Sequence, residues 1–233
     1  MKHMEYRNRV ATLSHLMQLC DSALPVGGFS FSCALESAVA QGVVCDVAGL
    51  EEYAQVVLRQ TLLSDGVAAL HVFRHAHDGG ELLRIDRELF SRKPSQEWRT
   101  MSCRMGRKLT ELGVKILPCP ELEEWHRNIY EGHTAGCYAV AQGLLFSLCG
   151  ASEQELFASV GYGVGVMISG AALRLMRITH LDTQRILFAL AFLTEEMYGE
   201  VSKLTIEQIN GFAPQLDILS SLHQRGKERM FMS

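Results

Sequence analysis

Residues 156–173 read LFASVGYGVGVMISGAAL, a stretch without a charged side chain that just reaches the length of a membrane span. How this stretch is read decides the fold. Four glycines (Gly161, Gly163, Gly165, Gly170) and two serines (Ser159, Ser169) lower its hydrophobicity, and it runs directly into Arg174 and Arg177. Just ahead of it, Ser152 and Glu155 stand at capping-box spacing, the start signal of a helix in water. The expectation is therefore a central buried helix of a globular domain rather than a membrane span. Gly161-x-Gly163-x-Gly165 lacks the leading strand and ribose-binding acid of a dinucleotide loop. Small residues that let helices approach closely are the simpler reading.

Working outward, the periodicity is helical almost throughout. Val10, Leu13, Leu16 and Met17 form one stripe, which ends before the turn-rich Leu24-Pro25-Val26-Gly27-Gly28. Asp46 is placed to cap a helix with Val47, Leu50, Tyr53, Ala54, Val57 and Thr61 on one face. Asp65 reads as the cap of the next helix, through Val67, Leu70 and Phe73, with Gly79-Gly80 as its stop. Pro94 fits the first turn of a helix carrying Trp98, Met101, Met105, Leu109 and Leu112, closed at Gly113. Pro120 opens another through Leu122, Trp125 and Ile129 toward Leu148, with Gly132 and Gly136 able to divide it. Asp182 precedes Ile186, Leu187, Leu190, Phe192 and Leu193 in a further helix, and residues 201–209, VSKLTIEQI, fit helix or strand equally.

Five prolines in 233 residues leave long stretches free of helix breakers, and 48% apolar with 21% charged residues describes an ordinary packed core. The fold class that follows is all-α, a single globular multi-helix bundle of about eight to ten helices. Its domain spans residues 1–220, and residues 221–233 form a basic C-terminal tail, mobile until a partner binds it. A formal charge of −4 argues against a general nucleic-acid binder. The first residues are too polar for a secretory signal, and seven scattered cysteines without a CxxC pair read as reduced thiols of a cytoplasmic protein.

Catalytic signatures are sparse. No G-x-x-x-x-G-K-[ST] loop occurs, so the chain is not expected to hydrolyse nucleotides alone. Gly28-Phe29-Ser30-Phe31-Ser32 departs from a nucleophile elbow by ending in serine, and Ser30 or Ser32 reads more simply as a helix cap. His71, His75 and His77, within HVFRHAH, are weak metal candidates: His71 and His75 share a helix face and could both reach one nickel, copper or zinc ion. Apart from Asp78 no nearby carboxylate or cysteine completes the set, and no metal site is assigned. His133 and Cys137 form a second such pair, expected to line a packed helix.

The stretch Asp21-Ser22-Ala23-Leu24-Pro25-Val26-Gly27-Gly28-Phe29-Ser30-Phe31-Ser32-Cys33-Ala34-Leu35-Glu36 closely resembles the N-terminal pattern D-S-x-x-P-[VI]-G-[GS]-[FY]-x-x-S-x-G-L-E of urease accessory protein F, the UreF family. It departs at Ala34, where glycine is usual, and at Phe31. Further resemblance follows in order: Ser64-Asp65-Gly66-x-Ala68, Leu83-Arg84-Ile85-Asp86, Glu97-x-Arg99-x-x-Ser102-x-x-Met105-Gly106-Arg107, Ala172-Leu173-Arg174-Leu175, and Pro214-x-Leu216-Asp217 with His223 and Arg229-Met230-Phe231-Met232-Ser233. Gln224 stands where glutamate is usual.

The resemblance implies a non-enzymatic helical protein that tends to dimerise and binds a scaffold protein called D or H. Together they recruit the nickel-carrying GTPase, called G, to apo-urease, and GTP hydrolysis is coupled to nickel insertion. No cofactor of its own is implied, since partners handle nickel and GTP. The candidate partner-binding residues are Phe29, Glu36, Arg174, His223, Arg229 and Phe231. Phe231 reads as a hydrophobic anchor and Arg229, flanked by Arg225 and Lys227, as a charge-assisted donor. Asp21, Pro25, Gly27 and Gly28 set a turn that presents Phe29 and Glu36. Arg174 is either an ion-pair partner or faces an acidic partner, and Arg174 and Arg229 are candidates to act on GTP as arginine fingers. The rival reading is a stand-alone nickel metallochaperone using His71, His75 and His77.

Overall fold

The computed structural model describes residues 9–93, 95–211, 213–225 and 230–232. Among the described residues there are ten α-helices: α1 Arg9–Cys20, α2 Leu35–Ala40, α3 Val47–Arg74, α4 Gly79–Arg92, α5 Gln96–Ile116, α6 Pro120–Tyr130, α7 Tyr138–Leu148, α8 Glu153–Leu175, α9 His180–Val201 and α10 Pro214–Arg225. Two 3₁₀ turns, Gly28–Ser30 and Ile206–Gln208, complete it, and no strand occurs among the described residues. The 201–209 stretch thus resolves as the end of α9 followed by a 3₁₀ turn.

The two apolar helices α7 and α8 form the centre. In α7 every residue from Ala139 to Phe146 is buried, because α3 covers one side and α5 the other. The 156–173 stretch is α8, opened by the expected Ser152–Glu155 capping box. Two of its glycines make the contact with α9: a Cβ on Gly161 would lie 2.5 Å from Thr194 Oγ1, and one on Gly165 2.7 Å from Leu187 Cδ1. Only hydrogen fits there. By length and apolarity α3 and α8 both pass for membrane spans, but 56% of the most apolar window of each is buried inside the bundle. Packing against other helices replaces what lipid would supply.

Three boundaries differ from the sequence-based expectation. Asp65 caps nothing: the chain passes through a π turn, Leu62–Gly66, and α3 continues unbroken to Arg74. The Asp65 side chain instead pairs with Lys93 Nζ at 2.6 Å. Gly79-Gly80 starts a helix rather than stopping one, because Asp78 accepts the Glu81 amide and caps α4. Gly113 lies inside α5, packed against Leu122 and Leu145, and the helix runs on to Ile116. Asp182 is the third residue of α9, closing a capping box with Thr179. Ser95 caps α5, and the reading of Pro94 lies outside the described residues. Asp46 and Pro120 start α3 and α6 as expected, and the left-handed Gly132 and Gly136 divide α6 from α7.

Some apolar surface stays outside. On α1 only Leu16 and Leu19 of the apolar residues are buried, leaving Val10, Leu13 and Met17 exposed. On α8 and α9, Tyr162, Leu181, Phe188 and Phe192 are also exposed.

Candidate functional site

The turn after α1 is built by its own polar groups. Asp21 Oδ1 accepts the Ala23 amide at 2.8 Å, and Gly27 takes φ +83°, a left-handed angle that suits glycine. Pro25 and Gly28 lead into the 3₁₀ turn that holds Phe29 outward, 74% exposed. The next residues turn back through Cys33 and Ala34, both left-handed, into α2. Tyr53 OH donates to the Cys33 carbonyl and Ser32 Oγ accepts the Glu36 amide at 3.5 Å, so the strained pair is tied from both sides. Glu36 is thereby fixed in the first turn of α2.

Glu36 is the hub of a clamp on the C-terminal segment. Its Oε1 accepts the Met230 amide at 2.7 Å and its Oε2 the Phe231 amide at 3.0 Å. The Met232 amide donates to the Ser30 carbonyl at 2.8 Å. Behind them lies His223 of α10, 3% exposed, with Nε2 2.8 Å from Glu36 Oε2 and Nδ1 2.9 Å from Glu97 Oε1. Each ring nitrogen thus faces a carboxylate oxygen. Ser220 Oγ donates to Glu97 Oε2 and shares a 2.6 Å hydrogen bond with Ser95 Oγ. Burial works against ionisation of Glu36, but the Met230 amide, the His223 ring and the Phe231 amide together pull its carboxyl below the usual range.

Arg174, at the end of α8, closes the other side. Its Nη2 donates to the Phe29 carbonyl at 2.6 Å, Nε donates to the Gly170 carbonyl, and the guanidinium lies 4.1 Å from the centre of the Phe231 ring. The ring itself is buried. Phe29, Glu36, Arg174, His223 and Phe231 therefore meet in one place, from four separate parts of the chain, while Arg229 lies outside the described residues. Beneath the turn a cavity of about 220 Å³ opens between α5, α7 and α8, walled by Trp98, Met101, Met105, Tyr138 and Met167. Polar atoms reach it from the Asp65–Lys93 pair and from Gln142, which donates to Ser159.

The histidines of HVFRHAH do not converge. His71 Nε2 faces the Leu204 carbonyl at 2.9 Å, His75 Nδ1 faces the His71 carbonyl, and His77 Nδ1 faces Glu121 across on α6. The rings of His71 and His75 are stacked with centres 6.4 Å apart. No group of three or more His, Cys, Asp or Glu at metal-binding separation occurs among the described residues.

Sequence reasoning missed Glu97 and Ser220 as members of the clamp. The segment Glu97 to Arg107 carried a family pattern, yet nothing in its helical periodicity says that Glu97 points at His223, some 126 positions away in sequence. Two more pattern residues prove to be ties. Asp86 accepts from Thr134 Oγ1 and from the amides of Ala135, Gly136 and Cys137, fixing the loop before α7. Ser102 Oγ accepts the Tyr138 amide at 3.1 Å.

The UreF family model matches residues 37–191, about two thirds of the chain. The chain is 42% identical over 223 residues to urease accessory protein UreF 2 of Brucella canis, covering 95% of this chain and 92% of that protein. It is 39% identical over 221 residues to urease accessory protein UreF of Photorhabdus laumondii, covering 94% and 97%. The protein of Yersinia pseudotuberculosis bearing the same name is 38% identical. Domain match and full-length relatives together place this helical chain in the UreF family of urease accessory proteins.

Proposed function

We propose that this chain is a non-catalytic adaptor of urease maturation in the cytoplasm. It bridges the accessory scaffold protein (D or H), the nickel-carrying GTPase (G) and apo-urease, so that GTP hydrolysis drives nickel into the urease site. Nickel and GTP are handled by those partners, and this chain holds neither stably. The observation that carries the reading is the clamp. It presents Phe29 and the C-terminal residues Met230 and Met232 as exposed apolar side chains whose backbone is held by Glu36, Arg174 and the Ser30 carbonyl. A rigid apolar patch with anchored main chain is what a protein partner recognises at low ordering cost.

The chain acts as a homodimer in this reading. Exposed Phe188 and Phe192, packed edge to face on α9, offer apolar surface of the kind that two copies bury. The arginine-finger idea fits less simply, since Arg174 already donates to Phe29 and stacks on Phe231 and would have to leave both.

The adaptor reading is tested by co-elution with the scaffold protein. Phe29→Asp changes an exposed side chain and leaves the fold intact, so loss of the complex with unchanged melting supports the reading. Wild-type co-elution by the Phe29→Asp chain overturns this patch as the contact.

A further inference from the structure

Three features around the cavity between α5, α7 and α8 take no part in the clamp or in helix packing. The first is the π turn Leu62–Gly66 within α3, an irregularity that helices keep mostly at functional sites. It brings Asp65 to the cavity wall, where the side chain pairs with Lys93 Nζ at 2.6 Å. Only 17% and 9% of these two side chains are exposed, and a buried ion pair adds little stability of its own. The second is Gly163 and Gly170, two turns apart on one face of α8 and both lining the cavity. Gly161 and Gly165 meet α9, but these two have nothing within 4 Å of where a Cβ would stand. Bare backbone beside open space is what the close approach of a ligand to a helix requires.

The third is a set of open polar atoms. Gln142 is 5% exposed and its Nε2 donates to Ser159 Oγ, but no hydrogen bond among the described residues reaches its Oε1. Asp65 accepts from Lys93 and Ser64 on Oδ2, which leaves Oδ1 open as well. Lys93 Nζ uses one of its three N–H groups on Asp65. Two acceptors and a donor therefore line one cavity, whose apolar wall includes Trp98, Met101, Met105, Tyr138 and Met167.

We propose that this cavity binds a small neutral molecule with an apolar body and a terminal carboxamide. A carboxamide has two N–H donors and one carbonyl acceptor, the complement of Gln142 Oε1, Asp65 Oδ1 and Lys93 Nζ. The charges of the site select a neutral group. Lys93 cancels Asp65 inside the cavity, and exposed Arg174 is opposite in sign to exposed Asp21 at its rim. A carboxylate or an ammonium would give up its hydration without meeting an uncompensated counter-charge. The body fits by size, since about 220 Å³ exceeds the cavity of about 150 Å³ that takes benzene in an engineered core. The three thioethers give a wall that adapts to its shape. The site is separate from the clamp, and its test needs no partner protein.

That test uses benzamide as probe on the full chain. Of the two tryptophans, Trp98 lines the cavity and Trp125 does not, so their indole N–H resonances report binding and its internal control. Benzamide should shift the Trp98 resonance saturably and leave Trp125 in place. Its affinity should be at least tenfold above that of toluene, benzoate or benzylamine, because open polar groups reject a ligand that leaves them unpaired. Gln142→Leu should lower benzamide affinity about tenfold with toluene unchanged. Gly170→Leu, which adds a side chain where space is open, should block both. Toluene or benzoate binding as tightly as benzamide overturns the proposal. So does a Trp98 resonance that never shifts saturably, and both results are read on the wild-type chain, whatever the variants do to folding.

Discussion

Ala34 shows at a single residue why the family pattern has glycine there. Its φ is +61°, left-handed, and the residue is buried at the entrance to α2. A Cβ in this conformation costs roughly 1 kcal/mol or more. Ala34→Gly is therefore expected to stabilise the protein by about 1 kcal/mol, offset in part by the extra freedom glycine has in the unfolded chain. Urea denaturation at equilibrium checks it, and a destabilised variant would show that the strain is relieved elsewhere. Glu36 carries a pH dependence of definite sign. Its pKa is lowered in the folded state, so the stability it contributes is present above the usual carboxylate range and lost as pH falls through and below about 4. NMR titration of the Met230 and Phe231 amides should show both contacts breaking on acidification, and Glu36→Gln should loosen them already at neutral pH. Resonances that do not move on acidification until the fold itself is lost would count against Glu36 as the anchor. His223→Ala leaves the buried Glu97 and the partly exposed Glu36 facing an empty site and should cost about 3 kcal/mol.

Among the helices, what could be read from sequence was what local signals encode. The Asp46 and Ser152 caps and the proline at the start of α6 were legible because each acts within four residues. α4 was missed because Asp78-Gly79-Gly80 resembles a stop, and only the capping bond from Asp78 to the Glu81 amide shows it as a start. Asp65 resembled a cap because its true partner, Lys93, is distant in sequence. The clamp was half-legible for the same reason. The family pattern marked Phe29, Glu36, Arg174, His223 and Phe231, but their convergence depends on four elements folding together. Gly106 tests the helix contacts directly. Gly106→Ala forces α5 away from the Gly136 carbonyl and should cost about 3 kcal/mol. Gly163→Ala, with open space around it, should be neutral or slightly stabilising by circular dichroism melting.

For the whole molecule, the bundle has a packed centre in α7 and α8 and two apolar surfaces with separate roles in the proposed assembly. If the face carrying Phe188 and Phe192 joins two copies, replacing both by aspartate should give a folded monomer by sedimentation, while the wild-type chain sediments as a dimer at micromolar concentration. In the proposed assembly the clamp surface is the contact for the scaffold and, through it, the GTPase. The central claim is that this chain is required for urease activation and works through that clamp. Its most direct test is to mix apo-urease, scaffold protein, GTPase, Ni²⁺, bicarbonate and GTP, with and without this chain, and measure urease activity. Activity should depend on the chain and fall at least tenfold when Phe29→Asp replaces it, while full activation without the chain would contradict the account.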